Sequence, residues 1–68
     1  MQALSEELSN DDVALLALLA SGLPAETVAR RLGLSERTVR RRIRLICDRL
    51  GVGTTVEAVV WAARRRLV

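Results

Sequence analysis

The residues of this chain best suited to chemistry are its arginines. All eleven basic side chains are arginine, and eight of them lie between Arg30 and Arg49, where the only acids are Glu36 and Asp48. Arg37, Arg40, Arg41 and Arg44 are spaced so that one side of a helix would carry all four. A guanidinium presents its donors as a planar fork, which matches a phosphate or the O6 and N7 atoms of guanine. Other chemistry has few tools. The chain has no histidine or tyrosine and one cysteine, Cys47. A redox or metal role for Cys47 lacks a second ligand, so it reads as a small residue at a core edge. Asp11 and Asp12 form a carboxylate pair, but at a helix start capping and the helix dipole account for them. The expectation is a protein that is not an enzyme and takes no metal, cofactor or small-molecule ligand.

The formal charge of +3 is an average over unlike parts. Residues 1–29 hold Glu6, Glu7, Asp11, Asp12 and Glu26 and no base, while the middle third is strongly basic. Such asymmetry points to a polyanionic partner. With 68 residues, half of them hydrophobic, the chain suffices for one small domain. No apolar run reaches the roughly 20 residues that span a bilayer. Residues 1–12 are acidic rather than basic ahead of the apolar stretch, unlike a cleavable signal peptide. A lone cysteine closes no internal disulfide and suits a reducing interior, so a cytoplasmic location is expected.

Four helices and no strand are expected to position these residues. Met1 to Glu7 show no period and read as a flexible lead-in or linker remnant ahead of a domain over 8–68. Ser9 with Asp12 resembles a capping box for a helix at about 10–20, whose run from Val13 to Ala20 is apolar nearly all round and must be buried on more than one side. Ser21-Gly22 ends it. Pro24, tolerated in a first turn, opens a second helix over 24–32 that stops at Gly33. Ser35 offers an N-cap for a third helix, 35–50, with Val39, Ile43, Ile46 and Leu50 spaced four, three and four along one face. Thr54 and Glu57 form a capping box for a fourth, about 55–66, whose last turn carries Arg64, Arg65 and Arg66.

The link Leu32-Gly33-Leu34-Ser35 is so short that helices two and three must cross steeply. Val28, Ala29, Leu32, Leu34 and Val39 are placed to pack inside that elbow. This is the sequence form of a helix-turn-helix, whose second helix enters the major groove of DNA. With the apolar face inward, Arg37, Arg40, Arg41, Arg44 and Asp48 turn outward. Residues early in this helix should meet base edges. The hydroxyls of Ser35 and Thr38 and the free N–H groups of the helix N-terminus suit phosphate, as does Arg37 beside them. Arg42 and Arg49 lie nearer the flank and should touch backbone. The plainer alternative is a solvated arginine face. Against it stand the helix-turn link and a shortage of acids four residues away, with only Glu36 and Asp48 near Arg40, Arg41 and Arg42.

From Leu8 to Val68 the chain resembles the C-terminal DNA-binding domain of LuxR-type (GerE, NarL/FixJ-like) transcriptional regulators. The matching residues are Leu8-Ser9, Leu15-Leu16, Ala20-Ser21-Gly22-Leu23, the run Val28 to Ser35, Thr38-Val39, Ile46, Arg49-Leu50-Gly51-Val52, Ala58-Val59, Ala62 and Leu67-Val68. The resemblance implies a four-helix fold with helix three for recognition and helix four for dimerisation. It places base-reading positions on Arg40, Arg41 and Arg44, and phosphate-contacting ones on Thr38 and Arg49. The chain departs from the family pattern at Arg42 (histidine or tyrosine in relatives), Asp12 (glutamate), Thr55 (arginine) and Arg66 (glycine). A sensor or receiver domain usually precedes such a module.

Helix four carries apolar residues on two faces, Ala58, Val59 and Ala62 on one and Val56, Val60 and Ala63 on the other, with Trp61 to the side. A domain this small can bury one face fully. The second is expected to meet a symmetry mate through Val56, Val60, Trp61 and Arg64, although both could be covered within the domain. The expectation is therefore a compact all-α four-helix bundle with a helix-turn-helix. It would bind double-stranded DNA sequence-specifically as the domain of a bacterial transcriptional regulator, as a homodimer. The competing readings are a sigma-factor region 4-like promoter module working with RNA polymerase, and an arginine-rich docking module for an acidic protein or anionic membrane. The narrow apolar face of helix three, committed to a core, argues against lipid.

Overall fold

The computed structural model describes residues 8–68, and the lead-in or linker read over residues 1–7 lies outside the described residues. Four α-helices follow in order: α1 (Asn10–Ala20), α2 (Ala25–Leu32), α3 (Glu36–Leu50) and α4 (Thr55–Arg64). No strand occurs among the described residues.

Each helix starts where a side chain or carbonyl meets its orphan backbone groups. At α1 the capping box is complete: Asp12 N donates to Ser9 Oγ (3.1 Å) and Ser9 N donates to Asp12 Oδ2 (3.3 Å). At α4 the same device joins Thr54 and Glu57, with Glu57 Oε1 also accepting from Gly53 N at 2.7 Å. Ser35 caps α3 through Thr38 N at 3.1 Å. Pro24 does not sit in the first turn of α2, where it was expected. It is the N-cap, with extended backbone (ψ 159) and a carbonyl that accepts from Val28 N at 3.0 Å. An N-cap residue needs no N–H of its own for the helix ladder, so proline serves there without loss.

Three helices end in one motif. The N–H of the second residue past the cap turns back to a carbonyl five residues earlier: Leu34 to Ala29 (2.9 Å), Val52 to Cys47 (3.0 Å) and Leu67 to Ala62 (2.9 Å). The residue before each donor must be left-handed, and these are Gly33 (φ 71), Gly51 (φ 72) and Arg66 (φ 58). This reversal stops α4 at Arg64 rather than continuing to residue 66. It also directs Leu34, Val52 and Leu67 back onto the core.

The core is a single cluster of Leu8, Leu15, Leu16, Val28, Ala29, Val39, Ile46, Cys47, Ala58 and Ala62. Val28, Ala29 and Val39 fill the elbow between α2 and α3, with Leu32 and Leu34 half-buried beside them. Ala58 and Ala62 are fully buried, which lets α4 approach closely. α1 buries Leu15 and Leu16 and packs Val13, Leu18 and Leu19 against the same cluster. Leu8 was not read from the sequence as a core residue, yet it is 1% exposed. It precedes the N-cap, the position from which an apolar side chain fixes the entry of the chain into its helix.

Candidate nucleic-acid interface

Every feature of the candidate interface follows from which side of α3 the core takes. Val39, Ile46 and Cys47 are buried and Ile43 and Leu50 are packed partly against them, so the opposite side faces solvent. On that side Arg37, Arg40, Arg41 and Arg44 line one shallow groove, and all four are exposed. The α3 helix is about 22 Å long at 1.5 Å per residue and, with side chains, about 10–12 Å across. That cross-section fits the B-DNA major groove, which is about 12 Å wide.

The stretch is short of acids, as its sequence suggests, but one of the two it holds is placed to pair with the row. Glu36 lies four residues before Arg40, and its Oε2 accepts from Arg40 Nε at 2.9 Å and from Arg40 Nη2 at 2.5 Å. Glutamate four residues N-terminal to a base is the favourable order on a helix, and Glu36 also sits in the first turn, where the dipole favours its charge. Arg37, Arg41 and Arg44 form no ion pair with any acid among the described residues.

At the N-terminus of α3 the two hydroxyls act in series. Ser35 Oγ accepts from Thr38 N and donates its proton to Thr38 Oγ1 at 2.9 Å. Ser35 is thus engaged as the cap, and the Thr38 hydroxyl proton is the one left to give outward. Arg42 and Arg49, the flank arginines, stand against the start of α1. They border a hollow with Ser9, Asp11, Asp12, Leu45 and Ile46, and Arg49 Nη1 lies 3.8 Å from Asp12 Oδ2. The acidic first turn of α1 therefore faces the flank of the basic helix and offsets part of its charge. Sequence spacing carries no signal for this pairing, because it joins α1 to the far end of α3.

The α4 residues divide as their faces predict. Val56 is 71% and Val60 40% exposed, and both border a hollow with Trp61, Arg64 and Arg65. Trp61 is half-buried against the core, and Arg65 covers its ring at 3.9 Å from the centroid while donating to the Trp61 carbonyl at 3.4 Å. Cys47 is buried and its thiol donates to the Thr54 carbonyl at 3.5 Å. Burial raises its pKa above the ordinary thiol value, with Asp48 and Glu57 adding to the effect. That environment keeps the thiol protonated and matches a structural residue. No group of three or more metal-ligating side chains occurs among the described residues. No helix there is long and apolar enough to cross a membrane.

Residues 6–62 match the family model "Bacterial regulatory proteins, luxR family". The chain is 36% identical over 62 residues to the transcriptional regulatory protein YdfI of Bacillus subtilis, covering 91% of this chain and 29% of that protein. It is 36% identical over 53 residues to the nitrate/nitrite response regulator protein NarL of Escherichia coli, covering 78% and 24%. Against the bialaphos biosynthetic pathway regulatory protein of Streptomyces hygroscopicus the figures are 39% over 62 residues, 91% and 24%. The chain thus spans 24% to 29% of the length of these curated relatives. The match covers the helix-turn-helix, its buried elbow and its arginine row: the chain belongs to the luxR family of bacterial regulatory proteins and is a DNA-binding domain of a transcription regulator.

Proposed function

We propose that this domain reads duplex DNA sequence-specifically by laying α3 in the major groove. Arg40, Arg41 and Arg44 contact base edges. Ser35 through its backbone N–H, and Arg37, Thr38, Arg42 and Arg49 through their side chains, hold the phosphates on either side, and two copies dimerise through Val56, Val60, Trp61 and Arg64 in the cytoplasm. The observation that carries this reading is the single groove lined by Arg37, Arg40, Arg41 and Arg44 on the one face of α3 that the core leaves open. Four arginine forks on one helix can satisfy both guanine edges and flanking phosphates. Arg42 and Arg49 reach phosphate from beside α1, where Arg49 must exchange or share its contact with Asp12.

The test is a titration against duplex DNA at several salt concentrations, for the wild type and for Arg40→Ala and Arg44→Ala. Each substitution is expected to cost about 1–3 kcal/mol on the preferred sequence and to relax preference at one position. Equal weakening on every duplex would reduce these arginines to phosphate contacts, and vesicle binding without duplex binding would overturn the assignment.

A further inference from the structure

We infer that Glu36 is a positioning residue for base recognition: it holds Arg40 side-on so that the end of its guanidinium is presented to the groove. The inference rests on Arg40 being a base reader, as proposed above. A guanidinium has five N–H donors on three edges. Glu36 Oε2 takes Nε–H and one Nη2–H of Arg40. What remains is Nη1 and the outer Nη2–H, the end-on fork that matches guanine O6 and N7.

Arg30 supplies an internal contrast. It has the same four-residue relation to Glu26, but the carboxylate is met by Nη1 at 3.3 Å, while Nη2 reaches Thr27 Oγ1 at 3.5 Å. There the end-on atoms are the ones consumed, and no end-on fork is left to present. Two pairs of identical spacing therefore leave different donors available, and only the one on α3 leaves the base-reading pair.

The carboxylate also bears on selectivity. It lies at the first residue of α3, beside the groove face, where it repels the phosphate backbone as well as steering Arg40. An arginine free to swing binds phosphate on any sequence, whereas a braced one gains most where a guanine meets its fork. Glu36 thus exchanges general affinity for discrimination.

The experiment binds the full 68-residue chain to a pool of duplexes randomised over one half-site and sequences the bound fraction, for wild type, Arg40→Ala, Glu36→Ala, Glu36→Gln and the double variant. Circular dichroism checks that each remains helical. Arg40→Ala is expected to erase a guanine preference at one position by about tenfold. Glu36→Ala should cut the preference at that same position by about three- to fivefold while raising affinity for the pool as a whole. Glu36→Gln, whose amide oxygen still accepts, should retain most of the preference. In the double variant Glu36→Ala should change no preference further. If Glu36→Ala leaves the profile intact, or alters a different position, the brace is overturned while the reading of Arg40 stands. If Arg40→Ala leaves every position unchanged, the base-reading assignment itself fails, and the brace with it.

Discussion

Arg66 occupies a backbone position that its side chain does not favour. Its φ of 58 is the single positive value among the described non-glycine residues, and it plays at α4 the part that Gly33 and Gly51 play at α2 and α3. A Cβ in the left-handed region crowds the following carbonyl, which costs roughly 1–2 kcal/mol, and glycine avoids this at some expense in unfolded-chain entropy. The position tolerates arginine because the reversal it makes seats Leu67 on the core. Replacing Arg66 with glycine should therefore stabilise the domain by about 0.5–1 kcal/mol, read as a higher urea midpoint at unchanged m-value. The same substitution removes a cation at the end of α4, so duplex affinity measured alongside shows whether Arg66 also serves DNA. Unchanged or lower stability would mean that the Arg66 side chain offsets its own backbone cost.

At the scale of elements, α4 has one committed face and one open one. Ala58 and Ala62 are buried to 0% exposure, while Val56 and Val60 stand out beside Trp61. Two valines offer little apolar area, and Arg65 already covers the Trp61 ring, so a dimer built here is held weakly without DNA. Val60→Glu should abolish self-association in equilibrium sedimentation at high protein concentration, with the helical content unchanged; an unchanged mass distribution removes α4 from the interface. Most of the element structure was legible in the sequence because its signals are local. Ser9, Ser35 and Thr54 with their partners three residues on, and the periodic apolar face of α3, specify starts and faces without knowledge of the rest. Two kinds of feature escaped. Leu8 enters the core because of where α1 lies, and Arg49 meets Asp12 because α1 and the end of α3 come together. Neither contact is encoded in a local period. The Glu36–Arg40 pair is a different failure: its four-residue spacing was visible, but the charge excess of the stretch obscured it. The candidate site was legible as a surface, in Arg37, Arg40, Arg41 and Arg44, but not in how those arginines are held.

At the scale of the whole molecule, size sets how much DNA one copy can read. The domain measures 30 × 19 × 19 Å, shorter than the ~34 Å of one turn of B-DNA, so a single copy covers one half-site. Its affinity should be dominated by charge: each arginine that neutralises a phosphate adds about 0.9 to the magnitude of the slope of log K against log salt. If the flank arginines hold phosphate as proposed, Asp12, standing by Arg49, limits how many such contacts they contribute. In the proposed dimer a second copy would add the specificity that one half-site lacks, and the open face of α4 would set where that copy stands. If two domains meet through Val56 and Val60, their recognition helices face the same side of the duplex when half-sites are about 10 bp apart. Moving one half-site by a further ~5 bp turns it to the opposite side and should remove cooperative binding, while affinity for each half-site alone stays the same. The check is a binding series on duplexes carrying two copies of a half-site selected from a randomised pool, at spacings across one turn. Val60→Glu should flatten the spacing dependence without altering single half-site binding, because the proposed docking through α3 leaves α4 outside the groove. Cooperativity that persists at every spacing would place the contact between copies somewhere more flexible than α4.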